Sequence, residues 1–92
     1  MKKFLEVTTT SSTEMIAITG IACMFLNAGN RIEIEYVDGS QALIAGSSAL
    51  ADADMDIVAD TIIAANESKW TSVVSELPTL SQTISTVTFT VA

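Results

Sequence analysis

The chain has 92 residues, enough for one hydrophobic core and too few for two, so residues 1–92 are predicted to form a single domain. Its 4 basic and 11 acidic residues, with no histidine, give a net charge of −7, which opposes generic binding to nucleic-acid phosphates. Hydrophobic residues make up 49% of the chain and cysteine occurs once, as Cys23, so subunit interfaces are the predicted source of extra stability, in place of disulfides or histidine-bound metal.

The first third of the chain predicts strands. Within residues 3–8, Leu5 and Val7 alternate with Glu6 and Thr8, the pattern of a half-buried strand, and the polar residues 9–13 predict a loop. The segment Met15–Leu26 predicts a long buried strand in which Gly20 marks a bend, so that two short strands turn a corner. Its 12 residues are too few for a membrane span, which needs about 20, and acidic residues before it interrupt a signal-peptide core. We therefore expect a cytoplasmic protein without membrane contact.

A β-hairpin over residues 31–46 is the clearest predicted element. Residues 31–37 alternate strictly between two kinds of side chain, with the apolar ones on one face and the charged ones on the other. Asp38-Gly39 favours a two-residue type I′ turn, and that turn would place Ile34 opposite Leu43. The acidic residues of the hairpin are then explained as the solvent-facing side of a sheet.

An amphipathic helix is predicted after the hairpin. Asp52 or Asp54 is the predicted N-cap, and Asn66 lies near the C-terminal end. Aspartates spaced by four residues form a solvated acidic face opposite the apolar stripe. The apolar residues that recur with helical spacing are Met55, Val58, Ile62 and Ala65.

The C-terminal region ends in a further strand. After the apolar residues 73–74, Pro78 blocks a helix interior or a central strand, and residues 86–91 alternate between threonine and apolar side chains. This order of elements predicts a mainly β fold, a small, strongly bent antiparallel barrel with one α-helix. Its two terminal strands are the predicted edges, and free edges favour edge-to-edge assembly of copies into a ring.

No catalytic constellation is found in the sequence, so we expect neither enzymatic activity nor a cofactor. The aspartates of "DADMD" resemble the start of an EF-hand loop, but Ile57 and Ile63 stand where that loop needs glycine and glutamate, so no metal site is predicted. Cys23 lacks a histidine to activate it, and Glu33 and Glu35 lie on an exposed strand face.

The candidate binding residues lie in two places. Asn27, Asn30 and Arg31 offer amides and a guanidinium in or beside a loop, where base edges or a peptide can be read. Lys69 and Trp70 place a cation beside an aromatic ring, which favours stacking on bases. The competing interpretation assigns the asparagines to ordinary turn chemistry and the tryptophan to packing against the helix end.

Three segments resemble a family of small ocean-metagenome proteins ascribed to cyanophages. They are "KKFLEVTTTS", "ITGIACMFL" leading into "RIEIEYVDGSQALIAG", and "DIVADTIIAANESKWTSVV". That family is similar in fold to Sm and LSm proteins, which close into rings by pairing strand edges between subunits. The resemblance implies a homo-oligomeric ring that binds RNA or single-stranded DNA. The chain departs from the Sm pattern in its late helix and at Ala45, where the arginine of an Arg-Gly loop would lie.

Two functions are therefore predicted for the chain. The first is a non-enzymatic, ring-forming Sm-like phage protein of the host-cell cytoplasm that binds nucleic acid through loops near the pore. The second is a virion structural or assembly protein, which docks on other phage proteins through apolar edges.

Overall fold

Seven strands and one helix make up the part of the chain that the computed structural model describes, which is residues 2–67 and 72–91. Most of the fold is β, as the alternating patterns predicted. The elements are β1 (Lys2–Thr8), β2 (Thr13–Ala17), β3 (Ile21–Leu26), β4 (Ile32–Tyr36), β5 (Gln41–Gly46), α1 (Asp52–Glu67), β6 (Ser72–Glu76) and β7 (Ile84–Thr90).

The strands form two sheets. Sheet A has the order β2-β1-β6, and sheet B has the order β3-β4-β5-β7. All neighbouring strands are antiparallel except β1 and β6, which are parallel. The sequence predicted a bent antiparallel barrel, but no strand pairing among the described residues closes the two sheets into one barrel.

Strand β6 was not predicted, and its presence corrects the prediction that both terminal strands are edges. Because β6 pairs with one side of β1 and β2 with the other, the N-terminal strand lies in the middle of sheet A. β7 does lie at an edge of sheet B. The five residues of β6 are too short a run to separate a strand from a helix end by periodicity.

One hydrophobic core joins the two sheets and the helix. Alternate residues of β1, β4 and β5 point into it, as period-2 patterning requires, and the buried residues Val58, Ile62 and Ala65 of the helix belong to the predicted stripe. The fully buried side chains include Leu5, Val7, Ile16 and Ile18 beside sheet A, Ile32, Ile34, Ala42 and Ile44 from sheet B, and Val58 from the helix.

The corner between β2 and β3 forms at Gly20, as predicted. Gly20 has φ = +85°, a conformation that glycine adopts without steric cost, and its carbonyl accepts a 2.9 Å hydrogen bond from the N–H of Val37. The hydroxyl of Tyr36 donates a 2.6 Å hydrogen bond to the carbonyl of Ala17. The chain thus passes from sheet A to sheet B beside the tip of the hairpin.

The register of the hairpin differs from the prediction by one residue. Ile34 pairs with Ala42, which places Ala42 in the core and Leu43 on the other face. The turn has three residues, Val37 to Gly39, since Gly39 N–H donates to Tyr36 O at 3.0 Å and Gly39 alone of the three has a positive φ, +90°. A type I′ turn needs positive φ at two residues, so Val37 and Asp38 instead form a type I turn, and Gly39 follows it in the left-handed conformation.

Asp54 holds the start of the helix, but its role differs from the predicted N-cap. The first intrahelical hydrogen bond runs from Asp54 N–H to Ala51 O (3.0 Å), and the Asp54 carboxylate accepts a return bond from Ala51 N–H (2.9 Å). This is one of the two hydrogen bonds of a capping box: Ala51 is the N-cap, and the side chain of Asp54, at position N3, accepts a bond from the backbone N–H of Ala51. The same carboxylate accepts hydrogen bonds from Ser81 N–H (2.8 Å) and Ser81 Oγ (2.6 Å).

Lys3 contacts the other end of the helix. Its ammonium, buried beside the core, donates a 3.0 Å hydrogen bond to the carbonyl of Asn66 in the last turn. A cation at this end complements the negative pole of the helix dipole. The helix is therefore held at one end by a carboxylate bound to the 77–83 loop and at the other by a lysine of β1.

Asp54 also makes the stability of the fold depend on pH. Burial raises the pKa of Asp54, but the hydrogen bonds from Ala51 and Ser81 favour the charged form more strongly, so the pKa lies below its ordinary value. A lowered pKa stabilises the fold above the unfolded-state value of about 3.9, and this contribution is lost as pH falls through the folded-state value.

We expect Asp54→Ala to lower the free energy of unfolding by about 2–4 kcal/mol at pH 7, because it leaves buried N–H donors without an acceptor. Urea unfolding at pH 7 and near pH 3 measures this loss, and the difference between the two proteins should shrink at the lower pH. Asp56→Asn, on the exposed side of the same helix, is the control and should cost less than about 0.5 kcal/mol. An unchanged pH dependence in Asp54→Ala would contradict the assignment.

Candidate functional site

The predicted loop residues Asn27, Asn30 and Arg31 lie together in the turn between β3 and β4. The side-chain oxygen of Asn27 accepts hydrogen bonds from Gly29 N–H (2.9 Å) and Arg31 N–H (3.2 Å). Asn30 has φ = +57°, a left-handed conformation that asparagine tolerates better than most residues. Both asparagines are thus explained by turn geometry, which is the competing interpretation that the sequence also supported.

This turn is fixed to the rest of the fold at its last residues. Asn30 N–H donates to Asn27 O (2.9 Å), and Asn30 O accepts a 3.0 Å hydrogen bond from Leu50 N–H in the segment before the helix. Arg31 follows with an exposed side chain. Asn30 and Arg31 are both exposed, and Arg31 is the one of the three predicted residues that carries a charge.

Lys69 and Trp70, the other predicted binding residues, lie outside the described residues. The stacking site predicted from them stays a prediction.

The solvent-facing side of sheet B carries the predicted carboxylates beside Cys23. Cys23 Sγ lies 3.6 Å from Glu35 Oε1, and desolvation together with the negative charge of Glu35 raises the pKa of the thiol. A hydrogen bond with Glu35 raises the pKa of Glu33. The thiol is therefore kept protonated at neutral pH, which is the opposite of what a nucleophilic cysteine needs.

The two edge strands of sheet B contain no charged residue. β3 has six residues, "IACMFL", and β7 has seven, "ISTVTFT", whereas the inner strand β4 contains Glu33 and Glu35. Both edges of sheet A contain a glutamate, Glu14 in β2 and Glu76 in β6. Natural proteins place charges or prolines on exposed edges to block pairing with other chains, so the edges of sheet B lack the usual protection.

An apolar groove of about 400 Å³ lies at one end of β7. It runs between the outer face of sheet A, the tip of the hairpin and the end of β7. The lining side chains that matter below are Phe4, Met15, Val37, Phe89 and Val91, with Asp38 as the charged residue. The sequence did not single out this groove, because its walls come from four segments far apart in the chain.

No helix in the described ranges is long and apolar enough to cross a bilayer. Nor does any cluster of three or more metal-binding side chains occur in that part of the chain.

Comparisons with protein-family models, with curated proteins and with solved structures each found no match. The similarity to Sm and LSm proteins accordingly stays a prediction from the sequence.

If Arg31 binds nucleic acid, a titration of labelled single-stranded RNA at about 50 mM salt should show binding that weakens steeply as salt rises. We expect Arg31→Ala to abolish this binding and Arg31→Lys to retain most of it, since the contact is to phosphate. Absence of binding by the wild-type chain at low salt would eliminate this site.

Proposed function

We propose that the protein is a non-enzymatic, homo-oligomeric protein whose copies join through the free edges of sheet B, β3 of one copy against β7 of the next, into an Sm-like ring. The observation that carries this proposal is the absence of charge from both edge strands in a chain of net charge −7. Scattered charge elsewhere keeps the chain soluble, while the neutral edges let copies approach without bringing like charges together.

The direction of the strands supports head-to-tail pairing. Neighbouring strands of sheet B are all antiparallel, so β3 and β7, the first and fourth in order, run in opposite directions. A second copy placed with its β3 beside β7 therefore continues the antiparallel sheet. Register shifts between Ile21 and Cys23 and between Ala45 and Gly46 bend the sheet, as closure of a ring requires.

The outer edge of β7 is open to such pairing. Within the described residues, the backbone bond made on that side is the one from Thr10 N–H to the carbonyl of Ile84 (3.1 Å), at the first residue of the strand. Residues 85–90 pair with β5 alone. A partner strand would satisfy the remaining N–H and C=O groups.

The faces of the two strands also match. On β7, Val87 and Phe89 point to the same side as the buried residues of β5, and on β3 Met24 and Leu26 point to the same side as those of β4. Pairing β3 with β7 therefore aligns apolar with apolar side chains on the inner face. The threonines of β7 and Cys23 would share the outer face.

Such an assembly would act through protein contacts, as a structural or assembly component in a virion or as a scaffold in the host-cell cytoplasm. Nucleic-acid binding is the second candidate function, and the exposed position of Arg31 favours it. A ring repeats Arg31 once per subunit, which multiplies a weak contact.

A disulfide between copies tests the edge pairing directly. Thr86→Cys, Thr88→Cys and Thr90→Cys each place a thiol on the same face as Cys23, and paired strands bring facing Cα atoms within about 4.5–5.5 Å, inside the range that a disulfide spans. We expect oxidation by air at alkaline pH to link copies into ladders on denaturing gels for at least one variant. The alkaline pH is needed because the pKa of Cys23 is raised.

Two controls separate this geometry from others. Val87→Cys, on the opposite face, should give no ladder, and Cys23→Ser in each threonine variant should abolish the link. A cross-link that survives Cys23→Ser would mean that β7 pairs with β7, and a failure of all three variants would overturn head-to-tail edge pairing.

A further inference from the structure

We propose that the apolar groove is covered by the same second copy that pairs with β7, so that the subunit contact extends from the strand edge onto the outer face of sheet A. This inference rests on the proposed function, because it names a second part of the same interface.

The groove concentrates the exposed apolar surface of the described residues. Seven large hydrophobic side chains are exposed in that part of the chain, and four of them line the groove: Met15 (47% exposed), Val37 (78%), Phe89 (48%) and Val91 (87%). Apolar side chains scattered singly over a surface need no explanation, but a contiguous set marks an interaction site. Covering it would release ordered water and stabilise the complex.

The high exposure of Val37 and Val91, two side chains that line the groove, indicates that its occupant is large. Val37 and Val91 project so far into solvent that a small molecule lying in the groove would leave most of their surface uncovered. Ligand pockets, by contrast, enclose most of their ligand. A flat, wide contact with another protein surface fits this shape better.

The charge of the groove indicates a neutral occupant. Asp38 is its charged residue, and the Asp38 carboxylate already accepts hydrogen bonds from Ser40 N–H (2.9 Å) and Ser40 Oγ (2.5 Å), which lower its pKa. Among the side chains that the structure describes, none that lines the groove is basic and could attract an acidic partner. The uncharged β3 edge of a second copy has the matching character.

The position of the groove beside β7 and the area that a stable interface needs both favour the copy that pairs with β7 as the occupant of the groove. Residues 89–91, at the end of β7, line the groove, so a strand laid along β7 reaches its mouth. Strand pairing over about six residues covers a strip roughly 20 Å long and 5 Å wide. A stable interface needs about 800 Å² per partner, so pairing alone is too small and the adjoining groove supplies additional apolar area.

The test introduces a charge into the groove without altering β7. Val37→Lys and Met15→Lys change exposed side chains, and each reduces the net negative charge, so weaker association cannot come from added repulsion between copies. Ser48→Lys, in the exposed loop after β5, is the matched control. Circular dichroism and thermal melting check that each variant is folded.

We expect light scattering over a concentration series to show that both groove variants dissociate at concentrations at least about 10-fold higher than the wild-type and control chains, the equivalent of about 1.4 kcal/mol. If both variants dissociate at the same concentration as the wild-type chain, the groove is not part of the interface, whereas the proposed edge pairing is unaffected. A monomeric wild-type chain would instead overturn the proposed function itself.

Methionine oxidation supplies a second readout on the unmodified protein. Peroxide should oxidise Met15 several-fold more slowly in the oligomer than in diluted, dissociated chains, because a covering copy shields its sulfur. Met55, which packs against the core from the helix, away from the proposed interface, serves as the internal reference. Equal oxidation rates for Met15 in the two states would show that no second copy covers the groove. That result would overturn the proposal, whether the groove is empty or is bound by a different protein.

Discussion

The buried carboxylate of Asp54 is the interaction on which the C-terminal half of the structure depends. With 2% of its surface exposed, it accepts hydrogen bonds from Ala51 at the start of the helix and from Ser81 in the loop before β7. A charge so far from water is tolerated because each bond is charge-assisted. The contact holds the 77–83 loop, which follows β6, against the start of the helix, three residues before β7 begins at Ile84. β7 in turn forms one of the two free edges by which copies are proposed to meet.

The charged residues of sheet B lie on an inner strand, whereas a monomer is protected by charges on its edge strands. Glu33 and Glu35 lie on β4, where backbone pairing is already complete, and the edges β3 and β7 carry none. A monomer would gain protection against aggregation from the reverse arrangement. The exposed apolar side chains follow the same distribution, since four of them gather beside the end of β7. Both observations support the proposal that a second copy covers this surface.

Local patterns predicted the elements well, and tertiary contacts decided the rest. Alternation was enough to place the hairpin strands, and helical spacing was enough to place the buried stripe of the helix. The hairpin register was wrong by one residue because Asp38-Gly39 is compatible with two turn geometries, and the packing of Ala42 rather than Leu43 selects between them. The hydrogen bond that Ser81 N–H donates to the Asp54 carboxylate joins residues 27 apart in the chain, so no local pattern reveals it. In the candidate site, turn chemistry at Asn27 was foreseen, whereas the neutral edges have meaning only once the strand order is known.

The most direct test of the central claim, that copies join through sheet B, is the solution mass of the wild-type chain from size-exclusion chromatography with light scattering. The account predicts a single discrete species whose mass is a multiple of 9.7 kDa and corresponds to several subunits, stable on dilution into the micromolar range. A clean monomer of 9.7 kDa across that range would contradict it.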